Sequence, residues 1–291
     1  MTDLPAVFDH APWGLVVVHG PDATSFLQAI VSQDLDPVGV GETVPALLLQ
    51  PQGKLEVAFR ATVRRRDDDG DEWWLDTDPA YAARLAEGLT RYRIRVKVEI
   101  EDRTADAAMA SVIGVASAAG VPDDLVVAPT VWGAAPGVDV VGAAAEVTAW
   151  VAGAGLRVGT PEELEVLRIE AGVPKLGVDV DDATIPQEAF LEVDAVSFTK
   201  GCFIGQELVC RIDSRGHVNR FLRRLAIPGG VVPPHGAEVL LGDKSVGHVT
   251  SAVAVPGEDR AVALAMVRRE VEPPAEVEIH SAGTTTPATV L

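Results

Sequence analysis

Apolar runs and turn residues alternate through the N-terminal quarter of the chain, and this pattern predicts short strands. Residues 15–18 form a β-branched apolar run closed by a Gly-Pro pair, as expected of a buried strand. Residues 43–50 predict a second strand, and a turn sequence follows at 51–54. Residues 55–60 alternate between apolar and polar or small side chains, and residues 72–75 predict the strand that returns beside them. Together, these segments predict an antiparallel meander.

Three helices are predicted from their first residues and from apolar spacing. Asp22 and Asp78 are N-cap candidates, and Thr160 with Glu163 forms the pattern of a capping box. Gly172 supplies a stop for the third helix. The residues expected to face inward are Phe26, Leu27 and Ile30 in the first helix, Tyr81, Leu85 and Leu89 in the second, and Leu164, Leu167 and Ala171 in the third.

The remaining segments predict further strands. Residues 94–101 alternate strictly between aliphatic and charged side chains, which predicts one half-buried strand. The Ala-, Val- and Gly-rich stretch 104–159 predicts only short strands, for example at 111–115. Beyond residue 220, β-rich runs alternate with Gly and Pro turns, which predicts a small all-β module. These runs are 239–241, 246–255, 261–267 and 277–279.

Composition narrows the function classes. The 291 residues suggest about two domains. The net charge of −19 argues against a broad nucleic-acid-binding face, which needs many exposed cations. No apolar run is long enough to span a membrane, and the acidic N-terminus does not resemble a secretory signal. With only two cysteines, a disulfide scaffold is excluded, and we expect a cytoplasmic protein.

Residues 200–220 contain the strongest candidates for reactive side chains. Gly201, Cys202 and Gly205 predict a tight loop, and a short helix is predicted at 206–211. Cys202 would then lie just before a helix N-terminus and beside Lys200, and both features favour a reactive thiolate. The alternative is a buried, inert cysteine in a structural turn.

Cations also concentrate in this part of an acidic chain. They are Lys200, Arg211, Arg215, Arg220, Arg223 and Arg224. They predict either a basic mouth for an anionic small molecule or a solvated surface paired with nearby carboxylates. Cys202, Cys210 and His217 fit no standard zinc spacing, and a permanent iron–sulfur cluster needs about four thiolates. We therefore expect no permanent metal.

The octapeptide at residues 200–207, Lys-Gly-Cys-Phe-Ile-Gly-Gln-Glu, resembles the signature of the YgfZ-type folate-binding proteins. These proteins are relatives of the aminomethyltransferase, or T-protein, of the glycine cleavage system. Further segments resemble the family at 26–28, 32–35, 51–54, 168–174, 185–188 and 247–251. The resemblance therefore extends over most of the chain, with 104–159 the least similar part.

The resemblance implies an α+β fold. Two intertwined α+β parts, residues 1–221, would surround a central cavity, and a small β-barrel would follow at residues 222–291. It also implies tetrahydrofolate, or a one-carbon derivative, in that cavity. The implied role is support of iron–sulfur client enzymes, including radical enzymes that modify tRNA. We expect a monomer with transient client contacts and no direct binding of nucleic acid or membrane.

The resemblance also implies functional residues. Cys202 would be the functional thiol, and Lys200 would hold its charge state. Arg211 and Arg215 would attract the glutamate tail of folate, and Gln206 and Glu207 would shape the loop or contact the pterin. The full implied set of folate-binding residues is Gly201, Gly205, Gln206, Glu207, Arg168, Glu170, Arg211 and Arg215.

One departure separates this chain from the T-proteins. Their acidic residue after the first turn aligns with Ala58 here, and Glu56 on the same strand face is a partial substitute. No Gly-Glu-Asp-Gly-type loop is present in the middle of the chain. These points favour a folate-dependent accessory factor. Two alternatives stay open, a folate-dependent aminomethyl- or demethyltransferase and a non-catalytic scaffold with the same fold.

Overall fold

The computed structural model describes residues 3–130, 132, 135–281 and 283–291, and these residues form two five-stranded sheets and a closed six-stranded barrel. The strands are β1 (Ala6–His10), β2 (Gly14–Gly20), β3 (Thr43–Leu49), β4 (Leu55–Asp67), β5 (Gly70–Thr77), β6 (Glu99–Asp102), β7 (Ala107–Ile113), β8 (Val126–Pro129), β9 (Gly137–Ala143), β10 (Arg157–Val158), β11 (Arg220–Pro228), β12 (Glu238–Leu241), β13 (Lys244–Ala254), β14 (Arg260–Arg268), β15 (Ala275–Ser281) and β16 (Thr284–Val290). The helices are α1 (Ala23–Ile30), α2 (Pro79–Thr90), α3 (Ala144–Gly153), α4 (Pro161–Ala171), α5 (Glu192–Ala195) and α6 (Gln206–Arg215).

The two sheets are intertwined along the chain. Sheet 1 has the order β3-β4-β5-β2-β6, and sheet 2 has the order β10-β1-β7-β9-β8. Because β1 belongs to sheet 2 and β2 to sheet 1, the chain crosses between the sheets near its start. It crosses back after β6 and completes sheet 2, where β10 pairs with β1 in parallel. The predicted α+β fold of two intertwined parts is confirmed.

Sheet 1 forms largely as its sequence pattern predicts. The meander β3-β4-β5 is antiparallel, and Phe26, Leu27 and Ile30 of α1 pack into its core. Asp78 caps α2 by accepting a hydrogen bond from the Ala80 amide at 3.0 Å. Asp22 precedes α1 as predicted, but its carboxylate makes no capping bond to that helix.

The single strand predicted at 94–101 is wrong in its first half. The strand begins at Glu99, and Ile94 is 72% exposed. Arg95 adopts a φ of 57°, which ends any extended run there. Lys97 donates its amide to the Asp22 carboxylate at 2.7 Å. The segment therefore wraps around the junction of β2 and α1 before it joins the sheet.

The third predicted helix is present, but its most buried residues are not the ones that the sequence pattern predicts. The Thr160–Glu163 capping box forms, and Gly172 ends α4 at a φ of 74°. Val166 and Ile169 are its buried apolar residues, and they face the barrel. The predicted stripe of Leu164, Leu167 and Ala171 is only half-buried, with the two leucines packed against sheet 2. The prediction of one buried stripe fails because α4 packs against the barrel with one face and against sheet 2 with another.

The barrel has the strand order β11-β14-β13-β12-β15-β16. Aliphatic side chains fill its interior, among them Leu225, Val239 and Ile279. The four predicted β runs are present as β12 to β15, whereas β11 and β16 were not predicted. The sequence of β16 is rich in Thr and Pro and lacks an apolar run, and arginines interrupt the apolar residues of β11. The first barrel strand begins at Arg220, and the domain boundary set after residue 221 stays a prediction.

A buried carboxylate joins the barrel to the rest of the chain. Asp179 has a side chain that is 0% exposed and accepts a hydrogen bond from Arg168 at 2.7 Å. It also accepts hydrogen bonds from Thr250 at 2.5 Å and Ser251 at 2.7 Å, both on β13. No helix in the described part of the chain is long and apolar enough to cross a membrane.

Candidate functional site: a central cavity and a separate thiol loop

A cavity of about 1170 Å³ lies where the two sheets, α4 and the barrel meet. We call it the central cavity. Its walls include Phe8 and His10 from sheet 2, Phe59 and Arg60 from sheet 1, Leu164 from α4, and Leu222 and Leu264 from the barrel. A large, mostly apolar cleft with a few convergent polar groups is the usual form of a small-molecule site.

Arg60 organises the polar part of this cavity. Its guanidinium bridges Asp76 of the same sheet, at 2.7 Å, and Asp139 of sheet 2, at 2.5 Å. The side chains of the two acids are 5% and 0% exposed. Burial opposes the charged guanidinium, but the two carboxylates outweigh it and raise the Arg60 pKa. Burial raises the pKa of Asp139, and the Arg60 charge opposes that shift.

Three aromatic rings lie beside this cluster. His10 stacks on Trp132 with ring centroids 5.3 Å apart, and Trp13 meets His10 edge-on at 5.6 Å. The Trp13 indole donates a hydrogen bond to Asp76 at 2.9 Å. Burial, aided by the Arg60 charge, lowers the His10 pKa to about 4, so this ring is neutral at pH 7. The Trp132 indole nitrogen is buried and has no hydrogen-bond partner among the described residues.

Ala58 lies in the cavity wall, whereas Glu56 does not line the cavity. The Glu56 carboxylate is 7% exposed and is held by the Arg91 guanidinium at the end of α2. The prediction that Glu56 partly replaces the acid that is missing at Ala58 is therefore wrong, because the Glu56 carboxylate is already paired away from the cavity. The buried acids that do line the cavity, Asp76 and Asp139, are both bound to Arg60.

The thiol loop, residues 200–205, packs against the turn between β3 and β4. Gly205 has a φ of 77°, and a Cβ there would lie 2.5 Å from the Gln50 carbonyl oxygen. The Gln206 side chain accepts a hydrogen bond from the Phe203 amide at 2.9 Å. The predicted helix follows as α6, and Cys202 is exposed in front of it.

Lys200 does not direct its ammonium group to the thiol. Its Nζ donates hydrogen bonds to the carbonyl oxygens of Gln28 at 2.7 Å, Val31 at 2.8 Å and Gln33 at 2.8 Å. These carbonyls end α1, where a cation complements the helix dipole. Burial lowers the Lys200 pKa to about 8. The geometry thus gives Lys200 a role in joining the loop to α1.

The structure places the predicted site residues of the thiol loop and α6 away from the central cavity. Among the described residues that line the central cavity, none comes from 196–221. Glu207, Arg211 and Arg215 are exposed on α6, and Gly201 is exposed in the thiol loop. Gly205 and Gln206 hold the loop in shape.

The two candidates on α4 are also engaged elsewhere. Arg168 reaches the cavity wall, but it is 2% exposed and ion-paired with Glu165 and Asp179. Glu170 pairs with Arg260 at 2.9 Å. Of the predicted basic cluster, Arg220 is paired with Glu188 at 2.9 Å. Only Arg223 and Arg224 of that cluster line the cavity.

Sequence reasoning missed the residues that make the cavity polar: Arg60, Asp76, Asp139, His10, Trp13 and Trp132. An arginine inside the apolar alternation of β4 was the one available signal. Elsewhere in the described chain, His19, Glu99 and Glu101 place potential metal-ligating atoms within 4.8 Å of one another. Arg103 already binds Glu101 there, at 2.6 Å.

Comparison with known sequences identifies related proteins. Residues 220–291 match the family described as the glycine cleavage T-protein C-terminal barrel domain. The chain is 28% identical over 285 residues to the tRNA-modifying protein YgfZ of Klebsiella pneumoniae, covering 90% of this chain and 84% of that protein. It is 28% identical over 233 residues to a mitochondrial iron-sulfur cluster assembly factor IBA57 homolog of Mycosarcoma maydis, covering 76% and 57%.

Aminomethyltransferases are also similar. A stretch of 119 residues is 39% identical to the aminomethyltransferase of Rippkaea orientalis, covering 40% of this chain and 32% of that protein. The fold matches the crystal structure of glycine cleavage system aminomethyltransferase T from Bartonella henselae with a TM-score of 0.81, at 19% identity over 98% of this chain and 84% of that one. The chain is therefore a YgfZ-type relative of the glycine cleavage aminomethyltransferases.

Proposed function

We propose that this protein binds a reduced folate in the central cavity and supports iron–sulfur enzymes, tRNA-modifying radical enzymes among them. In this proposal it acts as a cytoplasmic monomer that meets its clients transiently. The observation that carries the proposal is the cavity itself, about 1170 Å³ in volume, in a fold shared with aminomethyltransferase T. The names of the YgfZ and IBA57 relatives supply the iron–sulfur and tRNA context.

The residues of the cavity fit a folate. The ligand combines a flat heterocycle, an aromatic linker and a carboxylate tail. Phe8, Phe59 and Leu164 offer apolar walls for the rings, and the buried Trp132 indole offers an unused hydrogen-bond donor. Arg223 and Arg224 offer cations for the tail. When bound, the folate would supply a carrier for one-carbon units.

The acid–base groups of the cavity favour an accessory role over group transfer. Ala58 places no carboxylate at the position that an acid occupies in T-proteins. Asp76 and Asp139 are both ion-paired with Arg60, and His10 is neutral because burial lowers its pKa to about 4. The buried carboxylates of the cavity are therefore engaged by Arg60 and not free to act on a ligand.

The position of Cys202 supports a thiol that faces a partner protein. It is exposed and lies outside the cavity lining, so in this arrangement it does not contact a ligand there. The chain has two cysteines, fewer than the four or so that hold a permanent cluster. An iron–sulfur cluster is accordingly a cargo or a client's group, shared only while the partner is bound.

The test is complementation in cells that lack their own family member. The readouts are methylthiolation of tRNA and the activity of an iron–sulfur dehydratase, at matched protein levels. Wild type and Cys210→Ala should rescue both readouts, and Cys202→Ala should not. Cys210 is the matched control because it lies on α6 in the same region and is partly buried.

The outcomes separate the candidate functions. Rescue by all three proteins would support the iron–sulfur role and show that the Cys202 thiol is not needed for it. Absence of rescue by soluble wild-type protein would contradict the proposed role. The aminomethyltransferase alternative would then be tested directly, by measuring folate-dependent release of ammonia from an aminomethylated carrier.

A further inference from the structure

The segment between α2 and β6 is rich in cations that lack carboxylate partners. We call residues 91–97 the basic segment, and its sequence is Arg-Tyr-Arg-Ile-Arg-Val-Lys. All four cations are exposed, and only Arg91 forms an ion pair with a described residue, the buried Glu56. Arg93 donates only to the backbone carbonyl oxygen of Val98, at 3.4 Å. Three positive charges therefore face solvent without a carboxylate among the described residues.

An isoleucine lies in the middle of these cations. Ile94 is 72% exposed, the highest value among the large apolar side chains of the described residues. Arginines around an apolar centre are typical of protein–protein interfaces. A nucleic acid would leave the exposed isoleucine unexplained, and the net charge of −19 opposes binding of a polyanion. The basic segment therefore fits a protein surface on which carboxylates surround an apolar side chain.

The basic segment is also held in one conformation. Tyr92 and Val96 pack against the core of sheet 1, and the Lys97 amide donates to the Asp22 carboxylate at 2.7 Å. Arg95 adopts a φ of 57°, a left-handed conformation that non-glycine residues rarely take and that is concentrated at functional sites. A surface that is already ordered loses little conformational entropy when a partner binds.

The basic segment and the thiol loop lie at opposite ends of α1. Asp22, just before the helix, holds Lys97, and Lys200 binds the carbonyl oxygens of Val31 and Gln33 just after it. The eight residues of α1 span about 12 Å. A protein–protein interface of ordinary size covers about 800 Å² on each partner, so one partner is large enough to contact both places.

We infer that the basic segment is a docking surface for a protein partner that presents carboxylates around an exposed apolar side chain. The inference rests on the proposed function, because the partner is the iron–sulfur client that meets Cys202. Client carboxylates bind Arg93, Arg95 and Lys97, and the apolar side chain packs on Ile94. Local opposite charge also orients the encounter of two proteins.

The first experiment uses complementation at the lowest protein level at which wild type rescues dehydratase activity. Arg93→Gln with Lys97→Gln removes two charges that no described carboxylate pairs with, so the melting temperature should match that of wild type. We expect rescue to fall about fivefold and to recover when the variant is overproduced, because a higher concentration offsets weaker docking. Arg268→Gln with Arg269→Gln is the matched control, since it removes the same charge from exposed positions on the barrel and should rescue like wild type.

The second experiment tests the contact directly in the same cells. The photocrosslinking residue p-benzoylphenylalanine takes the place of Ile94 or, as a control, of Val231, which is 47% exposed between two barrel strands. After irradiation, antibodies against the dehydratase and against the tRNA-methylthiolating enzyme detect crosslinked products. We expect a product with one of these enzymes from position 94 only, and its loss when Arg93→Gln and Lys97→Gln are added.

Each outcome decides a separate claim. Full rescue by Arg93→Gln with Lys97→Gln at the low protein level, or no crosslink from position 94 to either enzyme, would overturn the docking inference and leave the proposed function standing. An equal loss of rescue in the barrel control would also overturn it, because net charge would then be the cause. Crosslinking of RNA at position 94 would replace the protein partner by a nucleic acid. Absence of rescue by wild type would contradict the proposed function itself.

Discussion

Replacement of Arg60 by leucine should destabilise the protein by about 3–5 kcal/mol, because it leaves two buried carboxylates without their cation. The side chains of Arg60, Asp76 and Asp139 are 12%, 5% and 0% exposed. Removal of one partner from a pair this deeply buried leaves a charge without its counterion, and water does not reach that charge. The Arg60–Asp139 ion pair also joins sheet 1 to sheet 2, so the substitution removes a contact between the two sheets at the cavity.

Arg65→Leu is the matched control on the same strand. Arg65 is 46% exposed and pairs with Asp67, itself 40% exposed, and exposed pairs of this kind contribute little to stability because solvent screens them. Urea unfolding at pH 7, followed by tryptophan fluorescence and far-ultraviolet circular dichroism, measures both variants. Equal losses of unfolding free energy in the two variants would refute the reasoning.

The pH dependence gives a second check. Burial raises the Asp139 pKa, and the Arg60 charge opposes the rise, so the pKa should climb further in Arg60→Leu. A group whose pKa is higher in the folded state favours folding at low pH, and that contribution is lost as the pH rises through the folded pKa. The deficit of Arg60→Leu relative to wild type should therefore shrink between pH 7.5 and pH 5. Asp139→Asn in the Arg60→Leu background should recover stability at pH 7.5.

Three further predictions concern other parts of the molecule. Gly205→Ala should cost about 2–3 kcal/mol in urea unfolding, because a φ of 77° is combined with a backbone contact at 2.5 Å; Gly229→Ala, at a φ of 76° with no atom within 4 Å, should cost about 1 kcal/mol. The unfolded chain protonates His10 near pH 6.5 and the folded protein near 4, so stability should fall as the pH drops through that window. His10→Gln should remove up to about 3 kcal/mol of this fall, and an unchanged pH profile would contradict the shift. Iodoacetamide should label the exposed Cys202 before Cys210, whose thiol pKa is raised by burial; equal rates by mass spectrometry would contradict this order.

Local chemistry explains the parts of the fold that could be predicted from the sequence. The Thr160 capping box, the Asp78 cap and the strands of the barrel depend on neighbouring residues, and they are present. The error at 94–98 has a tertiary cause, since the segment is held by Asp22, far away in the chain. The pairing of sheet 2 within 104–159 was also beyond local patterns, because its apolar residues lack a clear period.

The candidate site likewise has one part that could be predicted from the sequence and one part that could not. The signature at 200–207 was found because its residues are contiguous, and the structure shows several of them holding the loop, Gly205 against β3 and Lys200 against α1. The cavity could not be found in this way. Arg60 and Asp139 are 79 positions apart, and neither belongs to a motif. The functional roles of Cys202 and the folate contacts stay predictions.

The buried Asp179 limits how far the barrel can be treated as a separate module. Its carboxylate binds Arg168 from α4 together with Thr250 and Ser251 from the barrel. A chain that ended before residue 220 would expose this acid and its arginine to solvent where β13 now covers them. The isolated barrel would expose Leu264 and Met266, which now pack on α4. We expect the two parts to unfold in one cooperative transition, so that residues 220–291, which match a barrel family by themselves, would not fold as an independent unit.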